Sequence, residues 1–308
     1  MPAFHKVLEI LGPLLFLLCI NDIVDNIQSQ VRLFADDTSI FFIVDNAIES
    51  ADILNRDLNT ITSWSNKWLV SFNPRKTETM VISWKVNKPH YPSLVMNTQQ
   101  LEDAKYHKHL GVTISDDGSW NKHIELVIDK AYSRLNIHCM LKFRLDRLSL
   151  EKLYLSFIRP LLEYGSVVWD PHNIYLINIL ENVQIEAMRI ISGGTKLTSL
   201  RELYKETGLL KLKDRWENHK LIQLFKMQNY LTPASLSTLI PNRFQDVHTY
   251  NTRHNNVFPL PRTRTSLYAS YFLPSTLKIW NSLPPEIKDC PSLSILKSRL
   301  TCRVDHDN

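Results

Sequence analysis

The spacing of apolar residues changes near Trp120, and this change constrains the fold more than any other feature of the sequence. Before it, short β-rich runs alternate with helical stretches. After it, apolar residues recur at steps of three and four, which is typical of helices that pack on one face. Beyond about Thr232, prolines and Arg-Thr pairs become frequent. We therefore predict an α+β fold with a mixed region over 1–118, a helical region over 119–232 and an irregular tail over 233–308.

The helical region and the tail contain several separate predicted helices. In the helical region they cover residues 120–142, 149–164, 175–192, 199–207 and 211–231. Ser199 and Glu202 form a capping-box pattern at the start of the fourth helix, and Gly208 is placed to end it. Short helices in the tail are predicted near 275–282 and 292–301.

The mixed region opens with an apolar run, residues 10–20, which is too short to span a bilayer and predicts a buried helix. Residues 31–44 then predict two strands joined by an acidic turn. Asn46 is placed to cap the next helix. Further strands are predicted over Thr77–Trp84 and over His109–Ser115, which ends at an Asp-Asp-Gly turn.

Composition narrows the classes of function. The chain has 308 residues, is 44% hydrophobic and carries a net charge of +5, which is compatible with a phosphate-rich partner but does not require one. With seven glycines it has neither a G-x-G-x-x-G nucleotide motif nor a Walker phosphate loop. The four cysteines lie far apart, without zinc-site spacing, and we expect reduced thiols in an intracellular protein, either nuclear or cytoplasmic. No membrane anchor and no protein partner are indicated.

The acidic turn Phe34-Ala35-Asp36-Asp37 is the segment that most suggests chemistry. Two adjacent carboxylates repel each other, and a cation held against the turn would relieve that repulsion. Mg²⁺ fits this role because it prefers oxygen ligands and completes its shell with water and substrate phosphates. A solvated acidic turn without any ligand explains the same residues, and the pattern alone does not decide between the two interpretations.

Several motifs in a fixed order resemble the reverse transcriptases of Jockey-type non-LTR retrotransposons. They extend over nearly the whole chain, and each matches a family segment: Gly12 to Asp22, Leu33 to Ile40 with its F-A-D-D box, Trp68 to Met80, His109 to Ile114, Ser156 to Gly165 with Val168-Trp169, Tyr250 to Arg253, and Trp280 to Pro284. The resemblance implies a partial polymerase palm, then a thumb-like helical region. It also implies RNA-directed DNA polymerisation of deoxynucleoside triphosphates on an RNA template and a DNA primer.

The resemblance assigns roles to five residues. Asp36 corresponds to the metal-binding aspartate of the catalytic hairpin, with Asp37 as its less direct partner, so Mg²⁺ is the implied cofactor. Gly12 and Pro13 correspond to the end of a helix-turn that contacts the template and the incoming nucleotide. Lys76 corresponds to the proposed proton donor to the pyrophosphate leaving group, although an ordinary surface lysine after a turn is an equal alternative.

The sequence also departs from the family pattern. The glutamine-glycine stretch that lines the nucleotide pocket is replaced by residues 4–10, FHKVLEI. The first metal-binding aspartate of the palm, the fingers and the endonuclease belong to segments upstream of the matched motifs. Because two-metal catalysis needs carboxylates from two palm strands, we expect the isolated chain to be inactive as a polymerase. The alternative is a non-enzymatic module that binds nucleic acid.

Weaker signals have ordinary structural explanations. His107 and His109 could share one side of a strand, but without a third ligand a polar strand is the simpler interpretation. Basic residues near the end of a predicted helix could contact a nucleic-acid backbone or simply complement the helix dipole; they are Lys142, Arg144 and Arg147. Arg262 and Arg264 fit RNA contact and a solvated loop equally well. Five tryptophans are predicted to lie in the core: Trp64, Trp68, Trp84, Trp120 and Trp169.

Overall fold

The computed structural model describes residues 2–85, 90–243 and 257–306. Two compact units are present, Met1–Gly118 and Ser119–Asn308. The first combines helices with short strands and the second is helical, so the chain has the mixed α+β character expected from its sequence. Residues Tyr250–Arg253, which contribute to the family resemblance, lie outside the described residues. Within the described ranges, no helix is long and apolar enough to cross a membrane.

The first unit begins with helix α1 (Pro2–Ile20), followed by a 3₁₀ turn over Asn21–Val24. The expected helix end at Gly12 and Pro13 is wrong, because both residues lie inside the continuous helix. Strong helix formers follow them, and a Cβ at Gly12 would meet no atom within 4 Å. The expected burial is also wrong: Leu14, Leu15 and Leu18 are 52–68% exposed, and within residues 11–20 the core is reached only at Ile20.

An antiparallel hairpin and a long helix form the body of this unit. The strands are β1 (Gln30–Phe34) and β2 (Asp37–Phe41), and the helix is α2 (Ala47–Trp68). The Asn46 side chain accepts a hydrogen bond from the Ile48 backbone N–H at 3.1 Å, which confirms the predicted cap. Leu58 and Ile61 of α2 enter a core that also contains Ile20, Ile23, Met96 and Leu101.

The remaining strands of the unit are short. They are β3 (Glu78–Thr79), β4 (Val95–Met96), β5 (Gln99–Gln100), β6 (Glu102–Asp103), β7 (Tyr106–His109) and β8 (Val112–Ser115). The strand predicted over Thr77–Trp84 is reduced to two residues, which pair with β6 in parallel. The strand predicted over His109–Ser115 is instead the turn and second arm of a hairpin, because Leu110 and Gly111 adopt φ values of 46° and 85°. Positive φ at both loop residues is typical of type I′ turns.

The second unit follows the predicted helical order. Its helices up to residue 237 are α3 (Asn121–Leu141), α4 (Arg147–Leu153), α5 (Arg159–Glu163), α6 (Ser166–Trp169), α7 (Ile174–Ser192), α8 (Leu200–Thr207), α9 (Leu212–Gln228) and α10 (Ala234–Ser237), with a π-helical turn over Tyr154–Ile158. The capping box of Ser199 and Glu202 is present, and Gly208 ends α8 at a φ of 64°. The local signals for α8 are therefore confirmed.

The tail expected to be irregular is largely helical over its described residues. It contains α11 (Ser266–Ser270), α12 (Phe272–Ser282), α13 (Pro285–Lys288) and α14 (Leu293–His306). Apolar residues of α9, α12 and α14 share one core that includes Leu221, Leu224, Leu277, Trp280 and Leu296. This burial explains why the tail forms helices despite its prolines, because its helices pack against the apolar face of α9.

The tryptophans differ in burial from one another. Trp169 is fully buried and Trp64 is partly buried, as predicted. Trp68 and Trp84 are 43% and 64% exposed, so their assignment to the core is wrong. Trp68 is the last residue of α2, where the helical stripe leaves the packed face. Trp84 follows the two-residue strand β3, in a segment without a regular partner strand.

Candidate nucleic-acid interface and acidic hairpin

The acidic turn lies at the tip of the β1–β2 hairpin. Phe34 and Asp37 are paired across the strands, so the loop between them has two residues, Ala35 and Asp36. Ala35 has a φ of 52°, a region that residues other than glycine rarely occupy. Asp36 and Asp37 are both exposed. The turn therefore presents two adjacent carboxylates to solvent on a backbone that is locally strained, a type of strain that is concentrated at functional sites.

Two sets of contacts hold the hairpin on the rest of its unit. Leu33 of β1 and Ile40 of β2 pack against the apolar core. Just before β1, the backbone N–H groups of Gln28 and Ser29 donate to the Asp57 carboxylate at 3.1 and 2.9 Å, and the Ser29 hydroxyl also donates to it. Asp57 is only 2% exposed. A buried carboxylate of α2 thus fixes the point at which the chain enters the hairpin.

Asp22, the one carboxylate of the family-like segment Gly12 to Asp22, has a structural partner. Its Oδ1 accepts a hydrogen bond of 2.6 Å from the indole N–H of Trp64. This contact joins the 3₁₀ turn after α1 to α2. Asp22 therefore stabilises the packing of these two elements, a role that no local sequence pattern indicates.

The hairpin carboxylates do not complete a metal site by themselves. Among the described residues, no group of three or more His, Cys, Asp and Glu side chains is arranged to hold a metal ion. A pair of Mg²⁺ ions needs carboxylate ligands from more than one element. Asp36 and Asp37 fit one part of such a site, and the rest of the ligand set is not found in the described part of the chain.

The other residues singled out by the resemblance are not joined to the turn. Lys76 is exposed at the end of the 3₁₀ turn Pro74–Lys76, which Asn73 caps through a 3.1 Å hydrogen bond to the Arg75 backbone N–H. No hydrogen bond or ion pair within the described ranges links Lys76 to Asp36 or Asp37. An exposed lysine of this kind is able to meet a phosphate, but the structure does not position it against the hairpin.

The two histidines of β7 lie on one side of their hairpin. Their rings stack with centroids 6.3 Å apart, and His107 Nδ1 lies 2.8 Å from Glu78 Oε2. Glu78 belongs to β3, so this pair connects the β7–β8 hairpin to the neighbouring strand. The contact supports the interpretation of these histidines as polar strand residues.

In the second unit, one face of α9 binds the turn between α5 and α6. The Arg215 guanidinium donates to both carboxylate oxygens of Glu163, the longer bond being 3.0 Å, and Trp216 Nε1 donates to the Leu162 carbonyl at 2.9 Å. One turn further along α9, Lys220 Nζ lies 2.6 Å from Asp170 Oδ2. Side chains of α9 thus fix the segment Ser156 to Trp169, which carries part of the family resemblance.

His219 and Ser166 complete the polar contacts on this face. Ser166 Oγ lies 3.2 Å from His219 Nδ1, and His219 Nε2 lies 4.0 Å from Glu163 Oε2. Burial lowers the pKa of His219, and the nearby Glu163 carboxylate partly opposes this shift. The arrangement contains the residue types of a hydrolase triad, but Ser166 is only 1% exposed, so its hydroxyl is not accessible to a substrate.

Burial also affects two further carboxylates of this unit. Burial raises the pKa of Asp170, and the charge of Lys220 acts in the opposite direction. Burial also raises the pKa of Glu181, which accepts hydrogen bonds from the Tyr204 hydroxyl and, at 2.8 Å, from the Leu212 backbone N–H. Both carboxylates are held between helices, and we assign them to packing.

The turn between α3 and α4 combines positive charge with exposed apolar groups. Lys142 and Arg144 are exposed, and Phe143 between them is 86% exposed. The Lys142 ammonium lies 4.6 Å from the centroid of the Phe143 ring. Arg147, in contrast, donates to Glu206 Oε1 and to the Glu206 carbonyl, both at 2.7 Å. The three basic residues predicted as a group are therefore not equivalent.

Comparison with known proteins gives two relatives from Drosophila melanogaster. One, named probable RNA-directed DNA polymerase from transposon BS, is 22% identical over 225 residues, which cover 68% of this chain and 24% of the relative. The other, named RNA-directed DNA polymerase from mobile element jockey, is 22% identical over 240 residues, covering 74% and 26%. This chain is similar to the Jockey-type non-LTR reverse transcriptases. It spans about a quarter of the length of these two polymerases.

Two other comparisons gave no match. No protein-family model matches this chain. No solved structure matches it either. The relationship to the reverse transcriptases therefore rests on the two sequence relatives and on the order of the motifs.

Proposed function

We propose that this chain is part of an RNA-directed DNA polymerase of a non-LTR mobile element, and that by itself it does not extend a primer. The proposal is carried by the acidic hairpin: two adjacent carboxylates stand exposed on a tight, strained turn that the unit's core holds in place. The names of both relatives support this assignment. The expected partners are an RNA template and a DNA primer, and the expected substrates are deoxynucleoside triphosphates.

In this proposal, the first unit is a partial palm and the helical unit is thumb-like. Asp36 and Asp37 supply part of a Mg²⁺ site, and Lys76 is the proton donor to the pyrophosphate leaving group. The hairpin alone holds the cation weakly, because the described residues offer no third carboxylate beside it. Loss of chemistry in the isolated chain then follows from an incomplete ligand set, even where template and primer bind.

Primer extension on an RNA template with Mg²⁺ tests this proposal directly. The chain is compared with Asp36→Ala and with Asp45→Ala, a matched control at an exposed aspartate outside the turn. We expect no incorporation from any of the three proteins, with retention of a labelled template-primer in a gel-shift assay. Incorporation that is lost in Asp36→Ala and kept in Asp45→Ala would show that the chain is active, against this proposal. Failure to retain the template-primer would contradict the polymerase assignment itself.

A second candidate function is a nucleic-acid-binding module without catalysis. The exposed basic turn at Lys142 and Arg144 favours it, because exposed cations attract phosphate through sequence-independent electrostatics. The two candidates share binding and differ in chemistry. Primer extension by a polymerase reassembled with the upstream segment of a relative would distinguish them, since a pure binding module would contribute no Asp36-dependent incorporation.

A further inference from the structure

The α3–α4 turn exposes more apolar surface than its local structure requires. Phe143 is 86% exposed, and Met140 and Leu148, on the helices that flank it, are 69% and 63% exposed. The backbone is nevertheless well ordered by hydrogen bonds: the Arg144 and Leu145 N–H groups donate to the Leu141 carbonyl at 2.9 and 3.1 Å. A fixed turn that presents an aromatic ring to water is a candidate interaction surface.

The charges around the ring define the chemistry of the partner. Lys142 and Arg144 flank Phe143 directly, and no described carboxylate forms an ion pair with either of them. The nearest acidic residue in sequence, Asp146, is engaged in capping α4 through the Ser149 backbone N–H at 3.3 Å. Arg147 is engaged by Glu206 at 2.7 Å. The surface therefore joins one aromatic ring to two cations that no described carboxylate pairs, one of which, Lys142, also contacts the ring. This combination suits a polyanion that also has flat apolar groups.

Single-stranded nucleic acid has this combination of groups. Its bases stack on aromatic side chains while its phosphates meet lysine and arginine. In a duplex, each base is already stacked between its neighbours, so no base face is exposed for an aromatic side chain to stack on. We infer that Phe143, Lys142 and Arg144 form a binding surface for unpaired RNA or DNA, with a base on the Phe143 ring and phosphates at the two cations.

The inference rests on the proposed function, because it names where that polymerase part would hold an unpaired strand. The inference goes beyond the proposed function because it predicts a preference for unpaired over duplex nucleic acid. It also distinguishes Arg144, which is available, from Arg147, which is already paired.

Fluorescence anisotropy with labelled oligothymidylate tests the surface. We expect Phe143→Ala to weaken binding by roughly 5- to 150-fold, the range for loss of one stacked base, and Phe143→Trp to keep it. Arg144→Gln should weaken binding and reduce the dependence of the affinity on salt. Tyr175→Ala, which removes another exposed aromatic ring from a different helix, is the matched control and should change the affinity by less than about twofold.

The same variants are then tested with a blunt duplex and with phosphatidylserine vesicles. Equal loss of duplex binding in Phe143→Ala would overturn the preference for unpaired strands. Unchanged oligothymidylate binding in Phe143→Ala, with the wild type binding normally, would overturn this inference and leave the proposed function intact. Loss of vesicle binding alone would assign the turn to a membrane surface and overturn the inference. If the wild type bound no nucleic acid at all, both the inference and the proposed function would fail.

Discussion

Asp57 and Ser29 are joined through both the backbone and the side chain of the serine, across 28 residues of sequence. The Asp57 carboxylate lies in α2, and Ser29 immediately precedes β1. The same carboxylate also accepts a hydrogen bond from the Gln28 N–H. It therefore takes the place of water as the acceptor for three donors. The entry to the acidic hairpin therefore depends on a single buried side chain of a neighbouring helix.

We predict that Asp57→Ala destabilises the hairpin by about 3 kcal/mol, because it leaves buried donors without their charged acceptor. Hydrogen exchange of the β1 and β2 amides, followed by mass spectrometry, should become faster by roughly two powers of ten. Asp52→Ala, at an exposed position of the same helix, is the control and should leave the exchange unchanged. Equal protection in the wild type and in Asp57→Ala would mean that these bonds do not hold the hairpin.

Loss of the buried ion pair between Lys220 and Asp170 should lower the free energy of unfolding far more than loss of an exposed ion pair. Asp170→Asn leaves a lysine that is 4% exposed without its counter-charge, so we predict a loss of about 3–5 kcal/mol in the free energy of unfolding. Glu206→Gln breaks the exposed pair with Arg147 and should cost less than about 1 kcal/mol. Urea unfolding followed by helical circular dichroism measures both. Similar losses in the two variants would contradict this ranking.

Acid should destabilise the helical unit through His123. This side chain is 4% exposed, and burial, with a smaller effect of Lys130, lowers the pKa of His123 from 6.5 to about 4. Between these two values the unfolded chain binds a proton that the folded chain does not, so stability falls as the pH falls from 6.5 towards 4. The full loss from this residue is about 3 kcal/mol.

Urea unfolding at a series of pH values checks the His123 prediction. His123→Asn should flatten the pH dependence in that window, whereas Asn121→Ala, at an exposed position of the same helix, should not. Burial also lowers the pKa of His138 and of His219, so part of the pH dependence should remain in the His123 variant. A pH profile of His123→Asn that is identical to the wild type would show that His123 does not carry this effect.

Features that depend on neighbouring residues could be predicted from the sequence. The caps at Asn46 and Ser199 and the helix end at Gly208 each involve groups within a few residues of one another. The tight acidic turn was predicted for the same reason, because two β-rich runs flank it closely. The hairpin at Leu110-Gly111 was missed because a leucine at a φ of 46° gives no turn signal of its own.

Features that depend on distant residues could not be predicted. In the sequence, nothing distinguishes Asp57 from the other polar residues of α2, because its hydrogen-bond donors lie 28 and 29 residues away, just before β1. Lys220 and Asp170 are 50 residues apart, and nothing in either segment indicates the other. The exposure of Leu14, Leu15 and Leu18 could not be predicted for a related reason. An apolar run indicates that a helix face can be buried, but tertiary structure decides whether another element covers that face.

The shared core of α9, α12 and α14 bears on where the chain can be shortened. A premature stop codon near position 232 would remove the partners of Leu221, Leu224 and Phe225 and leave the apolar side of α9 in water. The shortened product would enter aggregation or proteolytic clearance instead of persisting as a smaller functional protein. Selection on the helical unit therefore extends to the last helices of the chain, and the two segments should be lost or retained together.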